Sequence, residues 1–196
     1  MSLLDLQEIP RRTMTLFFLV DKSGSMQGSK IASVNDAIRN IIPVLRDLSD
    51  NNTDAEIKIA TLEFASDCQW MYGEPQSLSD FRWLDIRADG WTAMGEACLE
   101  LNAKLSKHGF MKSPSASYAP VVILLSDGAP TDDFHNGMVA LSQNNWFKNA
   151  IRIAAVTSSQ IGSQSSNATG ATKQEQVIES INQQLEAADT SDAEEW

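Results

Sequence analysis

The stretch TMTLFFLVDKSGS, residues 13–25, decides how the rest of the chain is read. Its first eight residues are apolar, β-branched or aromatic, with none of the polar alternation of a strand that has one wet face. They therefore read as a strand buried on both faces, central in a sheet. The run stops abruptly at Asp21, and the loop behind it holds Gly24 and Gly28. From Ser29 to Leu48, the residues Ile31, Val34, Ile38, Ile41, Leu45 and Leu48 stand three or four apart, the spacing of an amphipathic helix. Pro43 is expected to bend that helix or end it early.

The same grammar recurs downstream. VVILLS (121–126) is a second apolar run that ends at an aspartate, Asp127, and IRIAAVT (151–157) reads as a third buried strand. EIKIATLEF (56–64) and CQWMYG (68–73) suit a hairpin at a sheet edge. Residues 74–90 are irregular, with Phe81, Trp83, Leu84 and Ile86 as packing anchors. MGEACLELNAKL (94–105) puts Ala97, Cys98, Leu101 and Leu105 on one helical face, and HNGMVALSQNNWF (135–147) reads as a further helix. Strands alternating with helices predict an α/β fold: a Rossmann-like, doubly wound, mostly parallel sheet with one antiparallel edge strand and helices on both faces. In such folds ligands gather where the C-terminal ends of the strands open into loops.

Composition sets the boundaries. The 196 residues carry 15 basic and 26 acidic side chains, a formal net charge of −11, and 42% are hydrophobic. That length suits a single domain burying roughly 70% of its unfolded surface. Residues 1–12 are read as an N-terminal extension and 13–188 as the domain. Within it, the Ser-, Gly-, Gln- and Asn-rich segment 158–172 reads as a linker to a last helix bearing Val177, Ile178, Ile181 and Leu185. Residues 189–196 form an acidic tail expected to be disordered. The acidic balance and the absence of any basic cluster beyond Arg11–Arg12 argue against nucleic acid as a partner. No apolar run is long enough for a membrane span, and Asp5 and Glu8 stand where a signal peptide needs a positive start, so a cytoplasmic location is expected. Cys68 and Cys98 fit no metal-ligand spacing and read as buried thiols.

The chemistry concentrates in three segments: DKSGS (Asp21–Ser25), GWTAMGEA with Thr92, and LLSDGAPTD with Asp127. In a doubly wound fold all three lie on one crest. Asp21, Ser23, Ser25, Thr92 and Asp127 are hard oxygen donors, the type Mg2+ takes together with several waters. In an extended loop, residues at steps of two point the same way, so Asp21, Ser23 and Ser25 can face one ion. The two carboxylates balance one divalent charge, and the neutral hydroxyls leave the ion electrophilic toward an outside anion. Helix capping alone is the competing reading of such Asp and Ser residues.

This pattern resembles the metal-ion-dependent adhesion site of von Willebrand factor A domains, and DGAPTD with GWTAMGEA resembles the bacterial TerY-type, tellurium-resistance-associated branch. The resemblance implies that Ser23 and Ser25 bind the ion directly, that Thr92 does so directly or through water, and that Asp21 and Asp127 hold it, often through waters. It implies Mg2+, with Mn2+ or Ca2+ as alternatives, and metal-mediated capture of an Asp, Glu or phosphate on a partner protein. The setting would be stress response, with kinase or phosphatase partners by analogy. Trp91 stands where many relatives have glycine.

Two other functions are weighed against this one. A haloacid-dehalogenase-like Mg2+ phosphohydrolase also places an Asp after its first strand, but needs a second carboxylate where Ser23 stands, and a hydroxyl does not perform that proton transfer at neutral pH. A structural subunit whose metal only ties loops together predicts stabilisation by the ion without a competing partner. The protein is therefore expected not to be an enzyme. His108 and His135 read as surface or capping residues, Asp132 and Asp133 as helix caps with a supporting role for Asp132 at the site, and Trp91 as an exposed anchor for a partner.

Overall fold

A computed structural model describes residues 11–128 and 130–156. The extension before residue 11, the linker at 158–172, the last helix and the acidic tail lie outside the described residues. The elements run β1 (Arg12–Asp21), α1 (Ser29–Asp50), β2 (Ala55–Phe64), β3 (Cys68–Trp70), β4 (Gln76–Ser77), α2 (Met94–Lys104), β5 (Val121–Ser126), α3 (Phe134–Ser142), α4 (Asn145–Asn149) and β6 (Ile151–Val156). The sheet order is β3-β2-β1-β5-β6, with β4 also paired to β2. β1, β2, β5 and β6 run parallel, while β3 and β4 are antiparallel to β2, so the expected antiparallel edge is present as two short pieces.

The period of two along β1 sorts its side chains onto two cores. Met14, Leu16, Phe18 and Val20 join Ile31, Val34, Ile38, Ile41 and Leu45 of α1 on one face. Phe17 and Leu19 join Ala97, Cys98 and Leu101 of α2 and Leu141 of α3 on the other. Burial on both faces is what makes β1 read as an unbroken apolar run.

The structure corrects four expectations. Of the two effects expected of Pro43, a bend or an early end, the early end does not occur: the helix runs from Ser29 through Asp50 with Pro43 inside. Pro43 and Arg39, the residue whose carbonyl loses its helical donor, are both on the exposed face of the helix, so no buried partner is left unsatisfied in the core. Leu84 is no anchor, being 59% exposed, whereas Phe81 and Ile86 are buried. Residues 135–147 form two helices because Asn144 interrupts them: its side-chain oxygen accepts from the amides of Trp146 and Phe147, capping α4. Its amide group donates to the carbonyls of Asn102 on α2 and of Leu105 just past the end of α2. Finally, β6 is not buried on both faces. Within the described sheet it pairs with β5 alone, Arg152 and Ala154 are exposed, and Ile151 and Ile153 are half-buried. An apolar groove of about 290 Å3 runs beside it, lined among others by Leu101, Val122, Met138 and Phe147.

Two close contacts fix α2 against α3. A Cβ at Gly95 would lie 2.5 Å from the carbonyl oxygen of Asp133, and one at Gly137 would lie 2.9 Å from Gly95 Cα. The helices therefore touch backbone to backbone, which only glycine permits.

Candidate metal-binding crest

Parallel pairing carries β1 and β5 to the same end of the sheet, with Val20 beside Leu125. Asp21 is the last residue of β1 and is fully buried. Its Oδ1 accepts the Ser23 amide at 2.8 Å, and its Oδ2 accepts the Ser126 hydroxyl at 2.6 Å. The carboxylate is thus aimed by the loop that follows its own strand and by the end of the neighbouring strand. Ser126 has no place in the expected ligand set, although its position immediately before Asp127 was a signal for it.

The serines form a directed chain. Ser25 Oγ donates to Asp127 Oδ1 at 2.8 Å, and Ser23 Oγ lies 3.0 Å from Ser25 Oγ. A hydroxyl has one proton. Since that of Ser25 is committed to Asp127, Ser23 is the donor in the pair, and both oxygens retain lone pairs for a cation. Ser23 is buried and Ser25 is exposed, so the chain runs from the interior to the surface.

Thr92 reaches the crest through backbone bonds. Its N–H donates to Thr131 Oγ1 at 3.1 Å, and its carbonyl accepts from the Thr131 amide at 2.9 Å and from Thr131 Oγ1 at 3.1 Å. Asp132 accepts the amides of Gly95 and Glu96, both at 2.9 Å, so it caps α2 from the loop that leads to α3. Asp133 caps α3 by accepting from the Asn136 amide. On the other side, Asp89 N–H donates to the Lys22 carbonyl at 2.7 Å and Gly24 N–H to the Gly90 carbonyl at 2.9 Å. Gly90 has φ +86°, and a Cβ there would meet Ser66 Oγ at 2.7 Å, so the turn before Thr92 needs glycine.

The five expected residues thus gather at one end of the sheet. Ser23, Ser25 and Asp127 are joined by side-chain bonds, Asp21 is tied in through the Ser23 amide and Ser126, and Thr92 is placed by its neighbours' backbone. Sequence reasoning missed Thr131, which does the stapling, and Lys30, whose ammonium bonds Asp127 Oδ2 and, at 3.1 Å, the Ser25 carbonyl. Among the described residues no three His, Cys, Asp or Glu side chains cluster in a way that could hold a metal. A cation here would depend on hydroxyls, and the donor chemistry fits: two carboxylates, three hydroxyl residues and a positive charge already drawn to the cluster. Trp91, beside Thr92, is 73% exposed. His108 and His135 are exposed, as expected of surface residues.

The thiols stand apart. Burial, and then the charges of Glu96, Glu100, Asp132 and Asp67, push Cys68 up to about 12. Burial and then Asp132 push Cys98 up to about 11. Both remain protonated at neutral pH.

A family model for the von Willebrand factor type A domain matches residues 15–184. The chain belongs to that family. Its members are protein-interaction and adhesion modules, typically without enzymatic activity. This von Willebrand factor type A domain is 30% identical over 135 residues to heavy chain 4 of inter alpha-trypsin inhibitor from Mus musculus, covering 64% of the chain but 13% of that relative. Similar folds include a von Willebrand factor type A protein from Catenulispora acidiphila, with TM-score 0.51 and 18% identity over 73% of this chain and 33% of that one. A D319A mutant of the PilB minor pilin from Streptococcus sanguinis has TM-score 0.52 and 9% identity over 91% of this chain and 63% of that one. At such identities the likeness establishes the shared fold alone. No helix among the described residues is long and apolar enough to cross a membrane.

Proposed function

We propose that this domain holds a divalent cation, Mg2+ or alternatively Mn2+ or Ca2+, through Asp21, Ser23, Ser25, Thr92 and Asp127, and presents it to an acidic or phosphorylated group on a partner protein. The observation that carries the reading is the proton-directed chain from Ser23 through Ser25 to Asp127, which leaves hydroxyl lone pairs available to a cation beside two carboxylates. When bound, the ion supplies an electrophilic position for an outside oxygen anion. The chain's own part is to aim the donors: Ser126 and the Ser23 amide hold Asp21, and Thr131 holds the Thr92 loop. Trp91 offers an exposed aromatic surface next to the site, suited to anchoring that partner. By resemblance to TerY-type proteins, the setting is cytoplasmic and associated with tellurium resistance and stress response, with kinase or phosphatase partners.

Isothermal titration of Mg2+ tests the reading, alongside affinity capture from a bacterial lysate with Mg2+ or with chelator. Wild type is expected to bind the ion and to retain acidic or phosphorylated proteins only while it is present, whereas Ser23→Ala and Asp127→Asn lose both properties. Partners retained equally by chelated wild type and by both variants would refute the reading.

A further inference from the structure

We infer that Lys30 is a tethered cation that a divalent ion must displace from Asp127, so that this side chain sets the ion concentration at which the crest loads; the inference rests on the metal-binding reading above. Both oxygens of Asp127 are engaged within the chain, Oδ1 by Ser25 Oγ and Oδ2 by Lys30 Nζ, and the carboxylate is almost completely covered, with 2% of its side chain exposed. An ion that uses Asp127 therefore takes an oxygen that is already occupied. The Ser25 bond is compatible with loading, because a hydroxyl that has donated its proton keeps lone pairs to offer a cation. The Lys30 bond is not, because an ammonium has only donors and repels a second cation at the same oxygen.

Two further features single out Lys30. It lies in the first turn of α1, which carries no acidic residue, where the positive end of the helix dipole disfavours a cation. Its position there is explained by Asp127 and the Ser25 carbonyl. Its side chain is 22% exposed, so release into solvent needs no opening of the core. Lys22, the other lysine of this loop region, is committed elsewhere, to Glu63 at 3.2 Å. The charges give the exchange a consequence. Asp21, Asp127 and Lys30 together leave the metal-free cluster with one net negative charge, and a divalent ion turns this to one net positive charge. Without Lys30 the loaded cluster would be neutral. The lysine thus weakens metal binding while making the loaded crest more attractive to an anion.

Titration of Mg2+ into the full chain, with wild type, Lys30→Met, Lys30→Arg and Lys22→Met compared, tests the inference. Lys30→Met is expected to bind Mg2+ about tenfold more tightly, the scale of one partly buried ion pair. Lys30→Arg should stay near wild type, and Lys22→Met within about twofold of it, because the Lys22 ammonium pairs with Glu63 rather than with Asp127. Side-chain 15N spectra of the metal-free wild type should show a protected lysine ammonium that is missing in Lys30→Met and loses protection when Mg2+ is added. If wild type binds Mg2+ and Lys30→Met binds it no more tightly, or Lys22→Met tightens binding equally, the displacement role is overturned while the metal site stands. If neither wild type nor any variant binds Mg2+ or Mn2+, the metal-binding reading fails and this inference with it.

Discussion

Replacing Gly137 by alanine sets two opposed effects against each other. Alanine is favoured over glycine inside a helix by about 1 kcal/mol, and Gly137 lies inside α3, so propensity alone predicts stabilisation. The new Cβ, however, would lie 2.9 Å from both Gly95 C and Gly95 Cα and closer still to the Gly95 carbonyl oxygen. These are backbone atoms of α2, which no rotamer change can move aside. Overpacking of this kind costs roughly 1–3 kcal/mol, and contact with backbone places it at the upper end. The net expectation is a loss of about 1–2 kcal/mol, or a fall in Tm of several degrees for a domain of this size. Urea and thermal denaturation measure it, with Gly73→Ala as the control, because a Cβ at Gly73 meets nothing within 4 Å. Parting the helices also strains the Asp132 cap on Gly95 and Glu96, so Mg2+ affinity should fall in Gly137→Ala and not in Gly73→Ala. A Gly137→Ala protein as stable as wild type would refute the backbone-to-backbone crossing.

Asn35 is buried, and it donates to the Ile86 carbonyl and accepts from the Ile86 amide and Trp83 Nε1. Asn35→Leu should cost about 2–3 kcal/mol in urea unfolding by leaving the buried Ile86 groups unpaired, with altered Trp83 fluorescence. Thr131→Val removes the hydroxyl that accepts the Thr92 amide and donates to the Thr92 carbonyl; it should weaken Mg2+ binding in calorimetry while changing Tm by only a few degrees. Cys98 should resist alkylation at pH 8 in the native state, since its folded value of about 11 leaves little thiolate. Because that value is raised on folding, the thiol's contribution to stability is complete below the ordinary value of 9 and is lost as pH climbs from 9 through 11. Cys98→Ala should therefore show a shallower decline in stability across that window.

What the sequence made legible follows from contacts within short segments. The apolar runs at 13–20 and 121–126 end in aspartates that the parallel register brings to one crest, and the α1 stripe from Ile31 to Leu45 faces the core as its spacing requires. What escaped reading depends on partners distant in the chain. Lys30 meets Asp127 across 97 positions, Ser126 meets Asp21 across 105, and Asn35 meets Ile86 across 51. No local pattern marks such a residue, because its role exists only once the sheet register is set. The reading of β6 failed for another reason: apolar composition does not distinguish a covered strand from one at the margin of the described sheet. Asn144 escaped because the polar stretch Ser142–Asn145 carries no sign of which of its side chains caps a helix and which faces water.

Thr131 and Asp132 fasten the Thr92 turn and the start of α2 to the segment after Asp127, whereas the segment after Asp21 meets that assembly through contacts at Lys22–Asp89, Gly24–Gly90, Ser25–Asp127 and Lys30–Asp127. Mechanically, the crest is a jaw with one fused half and one separate half. A tethered partner under load would pull these halves against each other, and yielding would begin at these four slender links rather than in the fused half. Resistance to shear would thus be set by a handful of bonds from the DKSGS loop and Lys30, and stiffening that loop would raise the rupture force without any change to the surface a partner touches.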